Sequence, residues 1–472
     1  MNFINENEVV TEFNELNISV KNPNSSKINH ENCYDPYNNK FWCKECVPRC
    51  IIEGWTSGND DIDNLIKDSI YNVNRYDDDD GDDDDDDVYP SFLEWVPFDR
   101  FEDMKQIGEG GFAKVYSATW IDGIAKYIKD DGNWIKKEPE FMKVALKKLN
   151  GSQNMSADFL NELKTHWKLN CLQDTSLKFY GITKDPETEE IMMIMQYAKN
   201  GNLRNILSSN FNKILWNEKI IYLYDLSNDL NNLHELGYFH KDFHSGNILN
   251  ISGGYYISDF GLSRPSNEQK SSDSNKIVGV LPYIAPEVLN GEPYALSSDI
   301  YSFGVVMAEL SSGKPPFHKR NYDNGLALEI CNGLRPEFGK GTPEIYKKLA
   351  HRCMNANPNQ RPTANELFEI LDCWSGYEDN EKYGYKREEV KAVFEEADEE
   401  IPNISTSYEK KPDAIYTSRA FTFSNLSKPI NSYFIATTYL NEEDNEGCQD
   451  SQLIDLEVPS TSKLEDVIVI TK

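Results

Sequence analysis

Two carboxylates and one amide stand in two short stretches whose spacing suits the transfer of a phosphoryl group. Asp242 and Asn247 lie in HKDFHSGN at residues 240–247, and Asp259 opens the stretch DFG a little further along the chain. The Asp242 carboxylate can orient a hydroxyl and accept its proton, and the side-chain oxygens of Asn247 and Asp259 suit magnesium ions that bridge phosphates. The pattern therefore predicts a proton acceptor beside a magnesium site.

A glycine-rich stretch upstream supplies a place for phosphates. Glycine lets backbone N–H groups approach phosphate oxygens that a Cβ would obstruct. The apolar strand that follows, VALK at residues 144–147, ends in Lys147, which can pair with phosphates. The residues of the glycine-rich stretch are Ile107, Gly108, Glu109, Gly110, Gly111, Phe112, Ala113, Lys114 and Val115.

The segment ADFLNELK at residues 157–164 has the composition of a helix with an aliphatic face. Glu162 within it is the natural ion-pair partner of Lys147, because the two side chains have opposite charges. The alternative interpretation of Glu162 is one solvated helix glutamate among many.

Three further motifs follow in a fixed order: APE at residues 285–287, SDIYSFG at 298–304 and RPT at 361–363. With these motifs and those above, the chain resembles the eukaryotic protein-kinase domain. The sequences of its motifs are similar to those of the tyrosine-kinase-like group and of an expanded fungal family with an N-terminal cysteine-containing segment. This resemblance implies an α+β fold of two lobes, a small antiparallel β lobe with one helix and a large, mainly α-helical lobe.

The resemblance also implies roles for individual residues. Asp242, Lys147 and Glu162 would be catalytic, ATP would be the cofactor, and Asn247 and Asp259 would hold magnesium. Besides the glycine-rich stretch and Lys147, the nucleotide would contact Ala145, Gln196, Ala198 and Leu249, with Met195 at the back of its pocket. Glu287 would pair with Arg361, and Asp299 would brace the backbone of the 240–247 stretch.

Five positions depart from the usual pattern of the family. Ala113 stands where a third glycine is usual, His166 where a leucine is usual, and Lys241 where an arginine is usual. His244 replaces the lysine typical of serine/threonine kinases, and Val280 replaces a threonine. The acceptor is thus expected to be Ser/Thr rather than Tyr on the overall resemblance, with Tyr or dual specificity as the alternative.

Other functions on the same fold differ in the residues they need. A pseudokinase scaffold would use the fold as an interaction surface, but Lys147, Asp242, Asn247 and Asp259 are all present. A small-molecule kinase is disfavoured by the complete APE segment, which belongs to a platform for protein substrates. The expected partners are a protein substrate and an upstream activating kinase.

Composition and charge narrow the class of protein. Of 472 residues, 39% are hydrophobic and 27% charged, and the net charge of −31 disfavours nucleic-acid binding, which needs a basic surface. No apolar run reaches the length of a membrane span, and the first residues carry no basic and apolar leader pattern. Nine cysteines, an odd number, argue against a secreted disulfide framework. We expect a cytoplasmic protein with access to the nucleus.

Composition shifts divide the chain. Residues 1–30 and 401–472 are expected to be disordered, and 76–92 form an acidic linker that includes ten aspartates. The kinase domain is expected at 93–374, with a β-hairpin extension within 121–140 and a helical extension at 375–400. A cysteine-bearing segment with a short capped helix is expected at 31–75.

Four cysteines of that segment could form a structural zinc site. Cys43 and Cys46 form one CxxC pair, whereas Cys33 and Cys50 stand alone, so only half of the usual double-CxxC pattern is present. The alternatives are a metal-free remnant and a redox CxxC.

Regulation by phosphorylation is expected between DFG and APE. Ser271, Ser272 and Ser274 lie there in a polar stretch, and phosphate on one of them could pair with Lys241 and order the segment. The alternative is a constitutively open loop.

Overall fold

The computed structural model of the protein describes residues 42, 47, 49–52, 54–73, 91–111, 113–130, 133–172, 177–266, 277–376, 386–409, 414–423 and 426–431. These residues form a small lobe built on a β-sheet and a large lobe built mainly of helices. The predicted two-lobed α+β fold is confirmed. Residues 1–30 and 76–90, predicted as a disordered terminus and a linker, lie outside the described residues.

The small lobe is organised around one six-stranded sheet. Its strands are β1 (Glu94–Trp95), β2 (Phe101–Glu109), β3 (Ala113–Trp120), β6 (Met142–Leu149), β7 (Phe179–Lys184) and β8 (Ile191–Gln196). Their spatial order is β1-β7-β8-β6-β3-β2, antiparallel except for the short β1–β7 pair. Residues 191–195 of β8 are all apolar and all buried, because both faces of this central strand are covered.

A hairpin extends the small lobe between β3 and β6, as the turn residues predict. Its strands are β4 (Tyr127–Asp130) and β5 (Asn133–Lys136), paired antiparallel. The hairpin is anchored at its base, because Tyr127 is buried and its ring packs against Trp42 and Phe92. The Ala125 N–H also donates to Glu94 Oε1 at 2.9 Å.

Two helices N-terminal to the sheet pack on the small lobe beside helix α3 (Ala157–Leu172). They are α1 (Arg49–Ile52) and α2 (Asp60–Tyr71). The short capped helix predicted in this segment is present, because the Asn59 side chain caps α2 by accepting from Ile62 N at 3.1 Å. Three isoleucines one turn apart on α2, Ile62, Ile66 and Ile70, are buried in one cluster with α3 and β7.

The large lobe surrounds a helix that is buried on all sides. Its helices are α4 (Leu203–Asn210), α5 (Trp216–Glu235), α6 (Pro286–Leu289), α7 (Leu296–Ser312), α8 (Asn324–Cys331), α9 (Glu344–Cys353) and α10 (Ala364–Ser375). Residues 298–311 of α7 are buried throughout. Gly304 permits the contact between α7 and α9, because a Cβ there would lie 2.8 Å from Cys353 Cβ and 2.9 Å from Ala350 O.

Short two-stranded elements carry the loops at the boundary of the lobes. They are β9 (Tyr238–Phe239) paired with β12 (Arg264–Pro265), and β10 (Ile248–Ile251) paired with β11 (Gly254–Ile257). These pairs fix the stretches 240–247 and 258–263 between them. The candidate site residues of the large lobe therefore lie on turns whose two ends are held by paired strands.

The described C-terminal residues are more ordered than composition predicts. Helix α11 (Arg387–Asp398) buries Val390, Phe394 and Ala397 against the large lobe, whereas Val393 is exposed. Beyond it, Ile401, Ile404 and Ala414 are also buried, and strand β14 (Arg419–Phe421) pairs antiparallel with β13 (Ile277–Gly279). The expectation of disorder from residue 401 is wrong for residues 401–409, 414–423 and 426–431.

A buried lysine lies where α11 meets α5. The Lys219 ammonium has no hydrogen-bond partner and lies over the rings of Phe211 and Trp216, at 4.2 and 4.6 Å from their centroids. Burial lowers the pKa of Lys219 to about 7, although Asp398 and Glu218 oppose this shift. Folding near neutral pH therefore removes a proton from a group that holds it in the unfolded chain.

The Lys219→Met variant is expected to unfold at higher denaturant concentration than wild type, with a gain of about 1–4 kcal/mol at pH 7. Because the folded pKa is depressed, the unfolded wild-type chain binds more protons between pH 7 and about 10.4, so its stability rises with pH across that window. The variant lacks this slope. Urea titrations at pH 7 and 9.5 measure the difference, and an equal gain at both pH values would contradict the charge argument.

None of the helices among the described residues combines the length and apolar composition needed to cross a bilayer.

Candidate active site

The stretch 240–247 is held in place by an aspartate of α7. Asp299 Oδ2 accepts from the backbone N–H of His240 at 2.8 Å, and Oδ1 accepts from that of Lys241 at 3.0 Å. His234 Nε2 lies 3.0 Å from Asp299 Oδ2. Lys241 adopts a φ of 72°, an unfavourable backbone conformation for a side chain with a Cβ, and these bonds to Asp299 hold it there. The bracing that the resemblance implies for Asp299 is present.

Asp242 and Asn247 face each other across the turn. The Asn247 amide donates to the backbone oxygen of Asp242 at 3.1 Å and to its Oδ2 at 3.2 Å. The second carboxylate oxygen of Asp242, Oδ1, is buried and has no hydrogen-bond partner. Because such an oxygen is costly to leave unpaired, it indicates a position where a donor from another group can bind.

Lys147 connects the sheet to the DFG turn. Register places Lys147 of β6 opposite Val115 of β3 and Met193 of β8, so its side chain points under the glycine-rich stretch. Its ammonium bonds to Glu162 of α3 and to Asp259 Oδ1, the latter at 2.8 Å. The ion pair expected from the sequence between Lys147 and Glu162 is therefore formed.

These three charges control one another's protonation. Burial lowers the pKa of Lys147, but Asp259 and Glu162 raise it more, so its pKa lies above the ordinary value. Burial raises the pKa of Asp259, but Lys147 outweighs it, and the resulting pKa is about 2. Burial raises the pKa of Glu162, with Lys147 opposing. Near neutral pH, Lys147 is thus a cation and Asp259 an anion, the forms that suit phosphates and a divalent cation.

Asp259 takes its orientation from an uncommon backbone conformation. Its φ is 69°, in the left-handed region, directly before the turn Phe260–Leu262. Such conformations cost energy for residues other than glycine and are found at ligand sites. Gly261 follows, and a Cβ there would meet Glu162 Oε2 at 3.0 Å, so a larger residue would crowd the Lys147–Glu162 pair.

The glycine-rich stretch is a tight turn between β2 and β3. Gly110 N donates to Ala113 O at 2.8 Å, Gly108 pairs with Val115, and Glu109 pairs with Lys114. Ile107 is largely exposed above the site, at 48%. Phe112, predicted as a nucleotide contact, lies outside the described residues.

The apolar residues predicted to contact the nucleotide base lie in one cluster of the small lobe. Ala145, Ala198 and Leu249 pack on the same small-lobe cluster, which also contains Met195. The Gln196 side chain is engaged elsewhere, because its Oε1 accepts from Lys178 N at 3.4 Å, so its backbone is the part that could contact a nucleotide. The structure thus brings together the predicted residues of both lobes.

His166 lies at the centre of the α3 contact with the DFG turn. Its ring packs edge-on against Phe260 at 4.5 Å between centroids, and its Nε2 is buried without a hydrogen-bond partner. Burial lowers the pKa of His166 well below its ordinary value, Lys147 and His240 act in the same direction, and Asp259 opposes. A neutral, unsatisfied imidazole thus occupies the position where a leucine is usual.

The His166→Leu variant is expected to be more stable than wild type by about 1 kcal/mol at pH 8, because removing an unpaired buried nitrogen outweighs the lost ring contact. The gain should grow as pH falls below about 6.5, since the unfolded histidine then takes up a proton that the folded one refuses. Urea titrations at pH 5.5 and 8 test this. A gain that does not change with pH would contradict the assignment of His166 as buried and neutral.

His244 faces the same carboxylate as Asn247. Its Nδ1 accepts from Gly246 N at 3.0 Å, so in the neutral ring the proton is on Nε2, which lies 3.6 Å from Asp242 Oδ2. The Nε2–H group of His244 therefore points toward Asp242 from the position where serine/threonine kinases usually have a lysine. Val280 is buried at the end of the segment after β13.

A polar network under the 240–247 stretch was not anticipated from the sequence. Ser245 Oγ donates to Glu309 Oε1 at 2.9 Å, and the Tyr283 hydroxyl donates to the other oxygen of Glu309. Arg204 of α4 lies 3.2 Å from Ser245 Oγ and 3.9 Å from Glu309. Arg204, Tyr283 and Glu309 lie outside the motifs with local spacing, so no sequence signal indicated their contacts with Ser245.

Another unanticipated residue is Ser418, whose hydroxyl bonds to Asp242 Oδ2. Composition placed it in a polar tail, far in sequence from every motif. The position of Ser418 depends on the β13–β14 pair, which composition does not reveal.

The pair Glu287–Arg361 is present as a buried, two-pronged ion pair, with Nη1–Oε1 and Nη2–Oε2 distances of 2.7 Å. It joins the start of α6 to the turn before α10.

The predicted zinc and phosphorylation sites fall mainly on residues outside the described part of the chain. Cys33, Cys43 and Cys46 lie outside the described residues, as do Ser271, Ser272 and Ser274, and of Cys50 only the backbone in α1 is described. Within the described part of the chain, no group of three metal-binding side chains is found. Lys241, the expected phosphate partner, has its ammonium 5.0 Å from the Tyr294 ring centroid.

Comparison with known proteins gives a family match and several relatives. The family described as protein tyrosine and serine/threonine kinase matches residues 101–371. A probable serine/threonine-protein kinase of Dictyostelium discoideum is 27% identical over 305 residues, covering 61% of this chain and 16% of that protein. A putative serine/threonine-protein kinase/receptor of Acanthamoeba polyphaga mimivirus is 30% identical over 297 residues, covering 60% and 16%.

A plant protein is similar over the same region. A probable LRR receptor-like serine/threonine-protein kinase of Arabidopsis thaliana is 28% identical over 298 residues, covering 58% of this chain and 27% of that protein. The chain thus spans only 16% to 27% of the length of these three relatives.

Proposed function

The chain belongs to the protein tyrosine and serine/threonine kinase family, and on that premise we propose that it transfers the γ-phosphate of ATP to a hydroxyl group of a protein. One observation carries the proposal. Lys147 of the small lobe bonds at once to Glu162 of α3 and to Asp259 of the DFG turn, so the charges that phosphate and magnesium require are already assembled.

The proposed roles follow from position. The acceptor hydroxyl donates to Asp242, which takes its proton as the new O–P bond forms. Lys147 orients phosphate oxygens. Asn247 and Asp259 have the oxygen ligands that magnesium prefers and would hold it beside Asp242. Magnesium, when bound, would neutralise the charge that develops on the β- and γ-phosphates.

The acceptor is proposed to be serine or threonine. The Dictyostelium, mimivirus and Arabidopsis relatives are all named as serine/threonine-protein kinases. His244 supports the same choice, because its Nε2 presents a donor close to Asp242 where serine/threonine kinases usually place a lysine. A short hydroxyl side chain can reach between these two groups.

The finer placement of the chain is also a proposal. The sequences of its motifs support membership of the tyrosine-kinase-like group and a similarity to the expanded fungal family. The proposed role is signal transduction, in the cytoplasm and nucleus. An upstream kinase that phosphorylates Ser271, Ser272 or Ser274 is the proposed activator, with Lys241 as the cation that binds the phosphate.

The test is a peptide-array assay with the purified full chain, ATP and magnesium, read out separately for phosphoserine, phosphothreonine and phosphotyrosine. We expect phosphate on serine or threonine that depends on magnesium. Lys147→Met should abolish the signal, whereas Lys143→Met, an exposed lysine on the same strand, should not. Nucleotide binding without transfer to any acceptor would instead indicate a scaffold, and phosphotyrosine alone would contradict the proposed acceptor.

A further inference from the structure

A C-terminal segment lies in the active site, with one hydroxyl at the proposed proton acceptor. Ser418 Oγ bonds to Asp242 Oδ2 and lies 3.5 Å from His244 Nε2. The carbonyl oxygen of Ser418 is close to the glycine-rich stretch, because a Cβ on Gly111 would lie 3.3 Å from it. Ser418 therefore stands between the two elements expected to hold a nucleotide and a proton acceptor.

The three residues after Ser418 continue as a strand on the segment between the DFG and APE motifs. Arg419, Ala420 and Phe421 pair antiparallel with Gly279, Val278 and Ile277. Main-chain pairing of this kind fixes an extended peptide in register while leaving its side chains to select the sequence. Register in β14 therefore positions Ser418 at Asp242.

Side-chain contacts hold the segment on the N-terminal side of Ser418. Arg204 Nη1 donates to Tyr416 O at 2.8 Å, and the Arg204 guanidinium lies 5.1 Å from the centroid of the Tyr416 ring. The Tyr416 ring meets Tyr322 edge-on at 5.4 Å, and Ala414 is buried in the core of the large lobe. Arg204 connects this anchor to the network under the 240–247 stretch.

A second anchor lies beyond the strand. Ile430 N donates to Cys331 O at 2.9 Å, and Asn431 Oδ1 accepts from Ala356 N at 2.7 Å. Ser427 Oγ donates to Asn332 Oδ1 at 2.6 Å. With both sides tied to the large lobe, Ser418 is presented at a high effective concentration to its own active site.

We propose that Ser418 is a phosphorylation site that the chain modifies by itself, within one molecule. The step rests on the proposed kinase activity. Ser418 Oγ attacks the γ-phosphorus of ATP, the bond from that phosphorus to the β,γ-bridging oxygen breaks, ADP leaves, and the hydroxyl proton passes to Asp242. The neighbouring hydroxyl groups do not compete, because Thr417 is exposed and the Tyr416 ring is held against Arg204 and Tyr322.

The same geometry makes the tail a competitor of other protein substrates. An external peptide that pairs with β13 must first displace residues 419–421, so part of its binding energy is lost in that exchange. Loosening this strand should lower KM for an external peptide without changing kcat. This split separates an occupied substrate groove from a structural role of the tail, which would change both.

The experiment starts from dephosphorylated full-length chain, to which ATP, magnesium and a generic serine peptide are added. Mass spectrometry follows phosphate on Ser418 and on the peptide in the same sample. We expect phosphate on Ser418 at a rate independent of protein concentration, and none on Ser418 of a Lys147→Met chain mixed with wild type. Phosphate on the peptide without phosphate on Ser418 would overturn the inference and leave the kinase activity standing. Absence of phosphate from both would overturn the kinase activity as well.

Four variants test whether Ser418 is the modified residue and whether strand pairing positions it. Ser418→Ala should lose the phosphate and Ser418→Thr should retain it, whereas Thr417→Ala, one residue away, should leave it unchanged. Ala420→Pro should slow phosphorylation of Ser418, because proline lacks the N–H and the extended φ that strand pairing needs. Ala420 is exposed, so this change removes no core packing. A rate that rises with protein concentration, or an unchanged rate in Ala420→Pro, would refute modification within one molecule.

Discussion

The Asp242→Asn variant is expected to lose about 10²- to 10⁴-fold in kcat while remaining folded and able to bind nucleotide. The amide has nearly the shape of the carboxylate, and its oxygen can still accept from the Asn247 amide, now 3.2 Å from Oδ2. What it cannot do is accept a proton from the acceptor hydroxyl. The loss should therefore appear in the chemical step alone.

Nucleotide affinity should change little in this variant, because the contacts of Lys147 with Asp259 and Glu162 remain. The measurement is steady-state transfer to a serine peptide at several ATP concentrations, together with nucleotide binding followed by calorimetry. A kcat within a few-fold of wild type would remove Asp242 from its proposed role.

The matched control is Asp229→Asn, the same chemical change in another buried carboxyl. Asp229 Oδ2 accepts from Ile257 N at 2.9 Å, outside the site. Burial raises the pKa of Asp229 to about 8, so at pH 7 it is already mostly neutral and the amide alters its charge little. Asp229→Asn should keep near wild-type kcat. A large loss there would show that buried aspartates in general, and not Asp242 in particular, control the rate.

The grouping of the candidate site residues was predictable because each belongs to a motif that is local in sequence. Lys147 ends an apolar strand, Asp242 and Asn247 share one turn, and Asp259 precedes a phenylalanine and a glycine. The cap of α2 by Asn59 was predictable for the same reason. In each case the physical requirement acts over a few residues, and those residues are contiguous.

The path of the tail was not predictable, because its stability comes from distant partners. Residues 401–431 are rich in polar side chains, and their buried members Ile401, Ile404 and Ala414 follow neither a helical nor a strand period. Their burial depends on grooves that the large lobe provides, and β14 exists only because β13 offers an unpaired edge. Amino-acid composition predicts how exposed a segment is on average. It does not predict which single residues of that segment are buried.

The consequence of His166 was only partly predictable. The sequence showed that a histidine stands where a leucine is usual, and in the structure Lys147 still reaches both Glu162 and Asp259. Packing of the His166 ring on Phe260 preserves the shape of the contact. The histidine therefore leaves one buried nitrogen without a hydrogen bond, but it does not disturb the contacts of Lys147.

The largest effect on stability is expected from Arg361→Ala, about 3–5 kcal/mol. The Arg361 side chain is fully buried and makes both ion-pair contacts with Glu287 at 2.7 Å. It also donates to the carbonyl oxygens of Asn355 and Ser297, each at 2.8 Å. Removing it leaves a buried carboxylate and two carbonyl groups unpaired. Since a typical domain is stable by only about 5–15 kcal/mol, a substantial unfolded fraction is expected on warming.

Urea denaturation followed by tryptophan fluorescence measures this loss, and three variants distinguish its cause. Arg361→Lys keeps the charge but lacks the planar two-pronged geometry, so it should fall between wild type and Arg361→Ala. Replacing both Arg361 and Glu287 by methionine should recover part of the loss, because no charge is then left unpaired. Arg352→Ala, which breaks a 2.7 Å contact with Glu366 at the surface, should cost less than about 1 kcal/mol. If Arg361→Ala were no more destabilising than Arg352→Ala, the buried pair would not be what joins α6 to the turn before α10.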